Sequence, residues 1–374
     1  MARLTQTTET IVQGIINHFD GKTELVTSDI KEFCSAVGYS FPTINNRLKD
    51  YKVGRGKFCF STPEVAEVAE QLEQTYTQSL VPEVDPLYVQ FGNYKDIKSV
   101  IKSGIFFPLF ITGLSGNGKT HSVEQVCASL GRDLVRVNVT IETDTDDLVG
   151  GFRLVNGDTV FHEGPVIEAM RRGAILLLDE IDLASNKILC LQSILEGKGY
   201  FVKKTNEMVY PAPGFNIVAT ANTKGRGSDT GKFIGANVLN EAFLERFSVT
   251  FEQEYPTPAI ESKILTRNFL SLGVTDCVTM VENLTTWADI IRKTYADGGI
   301  EDVISTRRLI NIVRSYVIFG SIGRAIELCV NRFDDDTKDV FLELYYKVSG
   351  DNNEDKAYEE DATGATASPD VPAM

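Results

Sequence analysis

Three short apolar runs in the middle of the chain each end in polar residues. Phe106-Phe107-Pro108-Leu109-Phe110-Ile111-Thr112 runs into Gly113, Ile175-Leu176-Leu177-Leu178 into Asp179-Glu180, and Phe215-Asn216-Ile217-Val218-Ala219-Thr220-Ala221 into Asn222. Short apolar runs bounded in this way are the pattern of strands covered on both faces in a parallel sheet. After the first run, Val123, Val126, Cys127 and Leu130 recur at i, i+3, i+4 and i+7. That spacing puts an apolar stripe on one side of a helix. Strand, turn and helix in this order predict an α/β domain, a parallel sheet flanked by helices, over residues 87–253.

The pattern changes on either side. Ile30, Phe33, Cys34 and Val37 have helical spacing, with Ser28 or Asp29 available as cap. Gly38-Tyr39-Ser40 then makes a turn, and Pro42 suits the first turn of a second helix carrying Ile44 and Leu48 inward. Residues 1–80 therefore read as a small helical domain with a helix-turn-helix outline. Lys52 to Lys57, followed by Phe58 and Phe60, has the composition of a wing hairpin. Val81-Pro82-Glu83-Val84-Asp85-Pro86 is a linker, and Tyr255-Pro256-Thr257-Pro258 breaks the chain again. Over residues 254–348 apolar positions such as Ile260, Ile264 and Leu265, then Leu309, Ile312, Val313 and Val317, predict a helical domain. Residues 349–374 are acidic and nearly free of large apolar side chains, the composition of a disordered tail.

Composition narrows the function classes. The 374 residues are 43% hydrophobic and 24% charged, and no apolar run is long enough for a membrane span. The N-terminus lacks the apolar core of a signal peptide. Six scattered cysteines form no C-x-x-C pair, which fits thiols in a reducing cytoplasm better than disulfides or a zinc site. A net charge of −15 argues against a general nucleic-acid coat. Residues 41–57 depart from it, with Arg47, Lys49, Lys52, Arg55 and Lys57 against the single acid Asp50. Two readings of this segment stay open: a nucleic-acid contact, or the solvated face of a protein-docking module.

The candidate chemistry lies at the ends of the apolar runs. Gly113-Leu114-Ser115-Gly116-Asn117-Gly118-Lys119-Thr120 is G-x-x-x-x-G-K-T in a strand-to-helix turn. There the backbone N–H groups of Gly113, Ser115, Gly116, Asn117 and Gly118, with the start of the helix at Lys119, Thr120 and His121, face an anion. Lys119 can reach the β- and γ-phosphates of ATP, and Thr120 can ligate Mg²⁺. Asp179 would hold Mg²⁺ through water, and Glu180 would polarise the attacking water as general base. The alternative is that both carboxylates cap the next helix. Asn222 could orient that water, or close a turn. Arg246, in Asn240-Glu241-Ala242-Phe243-Leu244-Glu245-Arg246-Phe247, cannot easily reach its own phosphate. It could serve a neighbouring subunit as an arginine finger, or form a surface salt bridge. Arg307, in Ser305-Thr306-Arg307-Arg308, could reach back to the γ-phosphate from the helical domain.

Together these residues resemble the AAA+ ATPases, in the MoxR and dynein-related branch. Within it the likeness is to the CobS ATPase subunit of aerobic cobaltochelatase, including CobS-like proteins of tailed bacteriophages. It is carried by Gly113–Thr120, Val135-Arg136-Val137-Asn138-Val139, Asp147-Leu148-Val149-Gly150, Phe161 to Pro165, Ala219 to Gly227, Thr230-Gly231 and Asn240–Phe247. The resemblance implies a P-loop core over about residues 86–255 with a helical lid. It implies Walker A for Lys119 and Thr120, Walker B for Asp179 and Glu180, sensor 1 for Asn222 and the arginine finger for Arg246. For sensor 2 it implies Arg307, with Arg308 as the fallback. It further implies β-hairpin insertions near Val149–Val160 and Tyr200–Pro211. ATP would be bound between subunits of a ring, usually a hexamer, with a separate partner bearing a von Willebrand A-type domain. For a phage-encoded chain the compartment would be the host cytoplasm. The N-terminal 80 residues and the acidic tail lie outside the resemblance, and no cobalt or tetrapyrrole site is visible. The leading expectation is an ATP-driven ring that remodels a protein partner. The alternative is a nucleic-acid-directed ATPase recruited through residues 41–57.

Overall fold

A computed structural model describes residues 8–19, 22, 24–54, 56–59, 79–155, 158–227 and 235–350. The chain divides into two units, Met1–Ser79 and Leu80–Met374. Arg55, Phe60, Thr230-Gly231 and the acidic tail from residue 351 lie outside the described residues.

In the first unit, helix α1 (Thr8–His18) is followed by strand β1 (Glu24–Val26), helices α2 (Thr27–Val37) and α3 (Phe41–Arg47), and strands β2 (Lys52–Gly54) and β3 (Lys57–Cys59). Gly38 closes α2 at φ 77°, in the left-handed region that glycine enters without strain. Asp29 accepts the Val26 N–H at 2.9 Å, so it caps from inside the helix rather than preceding it. The hairpin expected near Lys52–Lys57 is β2–β3, and β1 pairs antiparallel with β3 to make a third strand. The sequence pattern assigns neither α1 nor β1. Ile11, Ile15, Ile30, Phe33, Ile44 and Phe58 form the core of this unit.

The second unit is built on a five-stranded sheet of order β12-β4-β11-β8-β5, parallel throughout. Its strands are β4 (Leu109–Thr112), β5 (Leu134–Asn138), β8 (Ile175–Asp179), β11 (Asn216–Ala221) and β12 (Val249–Glu252). β4, β8 and β11 are buried along their whole length, as their continuous apolar runs require. Helices α4 (Tyr94–Ser103) and α5 (Lys119–Leu130) cover one face, where Ile97, Ile101, Val123 and Val126 meet Leu109, Ile111 and Leu177. On the other face, α7 (Pro165–Arg172) packs Val166, Ile167 and Met170 against Leu176 and Leu178. Between β5 and α7 come the short α6 (Thr145–Val149) and a hairpin, β6 (Gly150–Val155) with β7 (Asp158–Glu163). A second hairpin, β9 (Tyr200–Val202) with β10 (Glu207–Val209), follows the short helix α8 (Gln192–Leu195). Both hairpins lie where the resemblance placed insertions. Arg171 braces them together, paired with Glu163 of β7 at 2.8 Å and Glu207 of β10 at 2.7 Å.

After α9 (Glu241–Leu244) and β12 the chain turns helical: α10 (Pro258–Ser271), α11 (Val278–Ala296), α12 (Thr306–Phe319), α13 (Ile322–Val330) and α14 (Asp335–Ser349). These pack around Leu265, Phe269, Trp287, Ile312 and Phe341. The Trp287 Nε1–H donates to the Phe341 carbonyl at 2.9 Å, which satisfies the indole inside that core.

One steric requirement joins sheet and site. Gly113 leaves β4 at φ 150°, and a Cβ there would lie 2.1 Å from the Gln253 carbonyl oxygen at the end of β12. Gly131, also left-handed at φ 60°, has open space around the same position. Gly131→Ala should therefore cost about 1–2 kcal/mol, the ordinary left-handed penalty. Gly113→Ala should cost more than about 3 kcal/mol, because backbone must move as well. Urea unfolding of the two variants checks the order.

Candidate active site

The site forms at the carboxyl edge of the parallel sheet, where strand ends and helix starts leave a crevice. Between β4 and α5 the loop Gly113–Thr120 bends back on itself. Gly113, Gly116 and Gly118 have φ of 150°, 73° and 86°, and a Cβ at Gly116 would come 2.7 Å from Ser305 Oγ of the helical subdomain. Asn117 Nδ2 donates to the Gln253 carbonyl, and its Oδ1 accepts the Lys119 N–H at 3.3 Å. Its buried side chain thus fixes the loop to the end of β12. The Ser115 carbonyl accepts the Tyr255 hydroxyl at 2.8 Å.

Lys119 is buried at the first position of α5. Its Nζ donates to the carbonyls of Gly113 at 2.6 Å and Leu114 at 3.1 Å, and to Asn222 Oδ1 at 3.1 Å. Burial lowers the Lys119 pKa to about 8, while the carboxylates of Asp182, Asp179 and Glu180 pull the other way. β11 lies between β4 and β8 in the sheet, so Asn222 at its end falls between the lysine and the carboxylates.

Asp179, at the end of β8, accepts the Thr120 hydroxyl at 2.8 Å, the Thr220 hydroxyl and Arg136 Nη2, the last at 2.6 Å. Glu180 follows with φ 59°, left-handed for a residue with a side chain, and is exposed on the cleft. Such backbone strain persists where the surroundings over-determine it, which points to a functional position. Glu180 does not cap a following helix by its side chain.

The resulting cleft has a volume of about 730 Å³, within the range of small-molecule sites. Its polar lining includes Lys119, Thr120, Asp179, Glu180, Asn222 and Arg307. Tyr88, Val89, Phe91, Ile264 and Ile310 add apolar lining suited to a flat base. His121 lies on the cleft wall, its Nε2 3.0 Å from Asp85 and its Nδ1 3.4 Å from Glu124. The hydrogen bond to Glu124 is the largest influence raising its pKa.

Two arginine expectations separate cleanly. Arg307 donates its backbone N–H to the Gly116 carbonyl at 3.3 Å and lines the cleft. Arg308 turns the other way, its guanidinium bonded to the Cys329 carbonyl and stacked 5.1 Å from the Phe333 ring. Arg246 is not part of this cleft. Its Nε lies 2.9 Å from Glu196, and its guanidinium also bonds the Ala242 carbonyl.

Three residues that shape the site have no role marked in the sequence. Arg136, on β5, bridges Asp179 and Glu124, the latter at 2.8 Å. Thr220 bonds Asp179 and accepts the Glu180 N–H at 3.3 Å. Asp182 is buried, and its Oδ2 accepts the N–H groups of Asn222 at 2.9 Å and Thr223 at 3.0 Å. A third acid just after Asp179-Glu180 was the available signal for Asp182; nothing local marked the other two.

Among the described residues no group of three or more His, Cys, Asp and Glu could hold a metal by itself. The Thr120 hydroxyl and Asp179 carboxylate instead offer a small all-oxygen set. This suits Mg²⁺, which keeps several waters and takes its remaining oxygens from phosphates.

Residues 108–247 match the family described as AAA domain (dynein-related subfamily). The chain belongs to this family. It is an ATPase of the CobS and NorQ type within the AAA+ proteins. The aerobic cobaltochelatase subunit CobS of Sinorhizobium sp. is 27% identical over 72% of this chain and 83% of its own length. An uncharacterised protein of Staphylococcus saprophyticus is 30% identical over 54% of this chain and 76% of its own length. Protein NorQ of Paracoccus denitrificans is 32% identical over 43% of this chain and 57% of its own. No helix of the described residues is long and apolar enough to cross a membrane.

The Lys119 ammonium carries a pH prediction. A bound triphosphate favours the charged amine, so its pKa rises above about 8 on binding. Affinity for ATP should be full at lower pH and fall as pH climbs from about 8 towards 10. Lys119→Ala should weaken binding at neutral pH at least about tenfold and flatten this decline, because a charge-assisted contact is lost. Fluorescent-nucleotide titrations across pH measure both.

Proposed function

We propose that this chain is a Mg²⁺-dependent ATPase working as a ring, a hexamer by family habit, whose ATP turnover remodels or activates a protein partner. In this reading Lys119 and the loop amides hold the phosphates, Thr120 and Asp179 hold the cation, and Glu180 takes the proton of the attacking water. Asn222 orients that water, and Arg307 contacts the γ-phosphate from the lid. Mg²⁺ supplies charge neutralisation of the phosphates when bound.

The observation that carries the ring is the place of Arg246. The other expected catalytic groups line one cleft, whereas Arg246 is held by Glu196 in the turn after α9, outside it. An arginine there serves a phosphate only across an interface. The partner, by family resemblance, carries a von Willebrand A-type domain.

A second reading has its own observation. Lys49, Lys52 and Lys57 are exposed around the β2–β3 hairpin, in a chain of net charge −15. That local basic face fits a nucleic acid that recruits the ATPase.

Glu180→Gln should keep ATP bound and stop turnover, because geometry survives while the base is lost. Captured from native lysate with ATP, this variant should retain a protein partner; retention of nucleic acid instead, lost steeply with added salt, would favour the second reading. Arg246→Ala should bind ATP and hydrolyse it at least about 10³-fold more slowly, as removal of an arginine finger does. Mixing it with Lys119→Ala should restore part of the activity, since one mixed interface joins an intact cleft to an intact arginine. Full activity of a dilute monomer would end the ring proposal.

A further inference from the structure

A closed circuit of contacts joins the phosphate loop to the lid, and none of the roles above uses it. It starts at Ser115, whose carbonyl accepts the Tyr255 hydroxyl at 2.8 Å. Burial keeps that phenol protonated, with its pKa pushed up to about 12, so it is a donor at any working pH. The Tyr255 ring carries the Arg292 guanidinium of α11, 4.3 Å from its centre. Arg292 grips Glu261 of α10 with two bonds, 2.7 and 2.9 Å, and donates through Nε to the Ile304 carbonyl at 2.9 Å. Glu261, only 1% exposed, also accepts the Thr306 hydroxyl at 2.7 Å. Thr306 opens α12, and the next residue, Arg307, returns its N–H to Gly116. The circuit thus begins and ends on adjacent residues of the phosphate loop.

Two features make this more than lid packing. The Glu261–Arg292 pair spans α10 and α11 in a buried setting, and with its hydrogen bonds satisfied such a pair fixes one relative arrangement of the elements it joins. The two ends of the circuit meet the loop at successive carbonyls, those of Ser115 and Gly116. A change in the loop's shape must therefore act on both Tyr255 and the start of α12.

We propose that Tyr255 and Thr306 are positioning residues for Arg307, acting through Glu261 and Arg292 to present its guanidinium to the γ-phosphate when the loop holds a triphosphate. Tyr255 lies outside the cleft lining, and Thr306 borders the cleft with its hydroxyl committed to Glu261. This rests on the reading that Arg307 contacts the γ-phosphate. The consequence is selectivity: ATP and ADP differ at the group Arg307 meets, so losing its placement lowers ATP affinity and spares ADP.

The test uses the full chain carrying Glu180→Gln, so that ATP stays intact, and measures dissociation constants for ATP and ADP by equilibrium titration. Tyr255→Phe keeps the ring under Arg292 and removes only the hydroxyl; Thr306→Val keeps the shape and removes only the hydroxyl. Each should lower the preference for ATP over ADP by about three- to tenfold, with ADP affinity within about twofold, the size of a lost contact to a charged group. Arg307→Ala should lower it by about tenfold or more. Combining Tyr255→Phe or Thr306→Val with Arg307→Ala should add nothing, the mark of residues acting through one another. If Arg307→Ala lowers the preference while both hydroxyl variants leave it unchanged, the positioning role is wrong and the circuit only stabilises the lid. Additive double variants overturn it equally, because the hydroxyls would then act by another route. If Arg307→Ala itself leaves the preference unchanged, the γ-phosphate reading falls first and the inference with it. Unchanged thermal unfolding of the hydroxyl variants separates all three outcomes from misfolding.

Discussion

A buried ammonium governs the arrangement of the cleft. Lys119 Nζ is tied to two loop carbonyls and to Asn222, and three carboxylates, at the end of β8 and in the turn after it, act on its charge. Burial works against its charge, and the surrounding oxygen atoms work for it. Each partner comes from a different segment: the loop after β4, the end of β11, and the turn after β8. The parallel sheet is what delivers all three to one edge. The glycines of the loop serve the same end, because Gln253 and Ser305 occupy the space that side chains at Gly113 and Gly116 would need.

What could be read from the chain in advance was whatever is local. The loop motif specifies its own backbone, so Lys119 and Thr120 were identifiable without tertiary information. Continuous apolar runs marked β4, β8 and β11, and Asp179, Glu180 and Asn222, which follow or end the last two, line the cleft. The strand order was not legible, since buried parallel strands carry no mark of their neighbours. Arg136 meets Asp179, and Asp182 meets Asn222, only because β5, β8 and β11 lie side by side. Arg307 and Arg308 stand next to each other in sequence, and only the direction of α12 decides which faces the cleft. Tyr255 in its proline-flanked segment read as a break, yet its ring and hydroxyl each meet a partner distant in the chain.

The peripheral elements follow a different logic. The β6–β7 and β9–β10 hairpins leave Phe152, Leu154, Phe201 and Met208 exposed while Arg171 locks one hairpin to the other. A brace of two ion pairs makes them one projection of the α/β unit. In the N-terminal unit, the β2–β3 hairpin lies where the turn composition indicated, and β1 joins it by non-local pairing that short strands do not announce.

The left-handed backbone of Glu180 has a consequence for the tolerance of that position. A residue at φ 59° lies in a region that asparagine and aspartate enter readily and β-branched residues avoid. Side-chain chemistry and main-chain geometry are thus selected together at one codon. A glutamine keeps the glutamate's shape and exchanges a carboxylate for a neutral amide, whereas a valine would also tug on Ile181 and Asp182 and, through Asp182, on the backbone of Asn222. Drift at this site is confined to a few side chains, independently of any demand for a base, and the turn would retain its shape in a descendant that had given up hydrolysis.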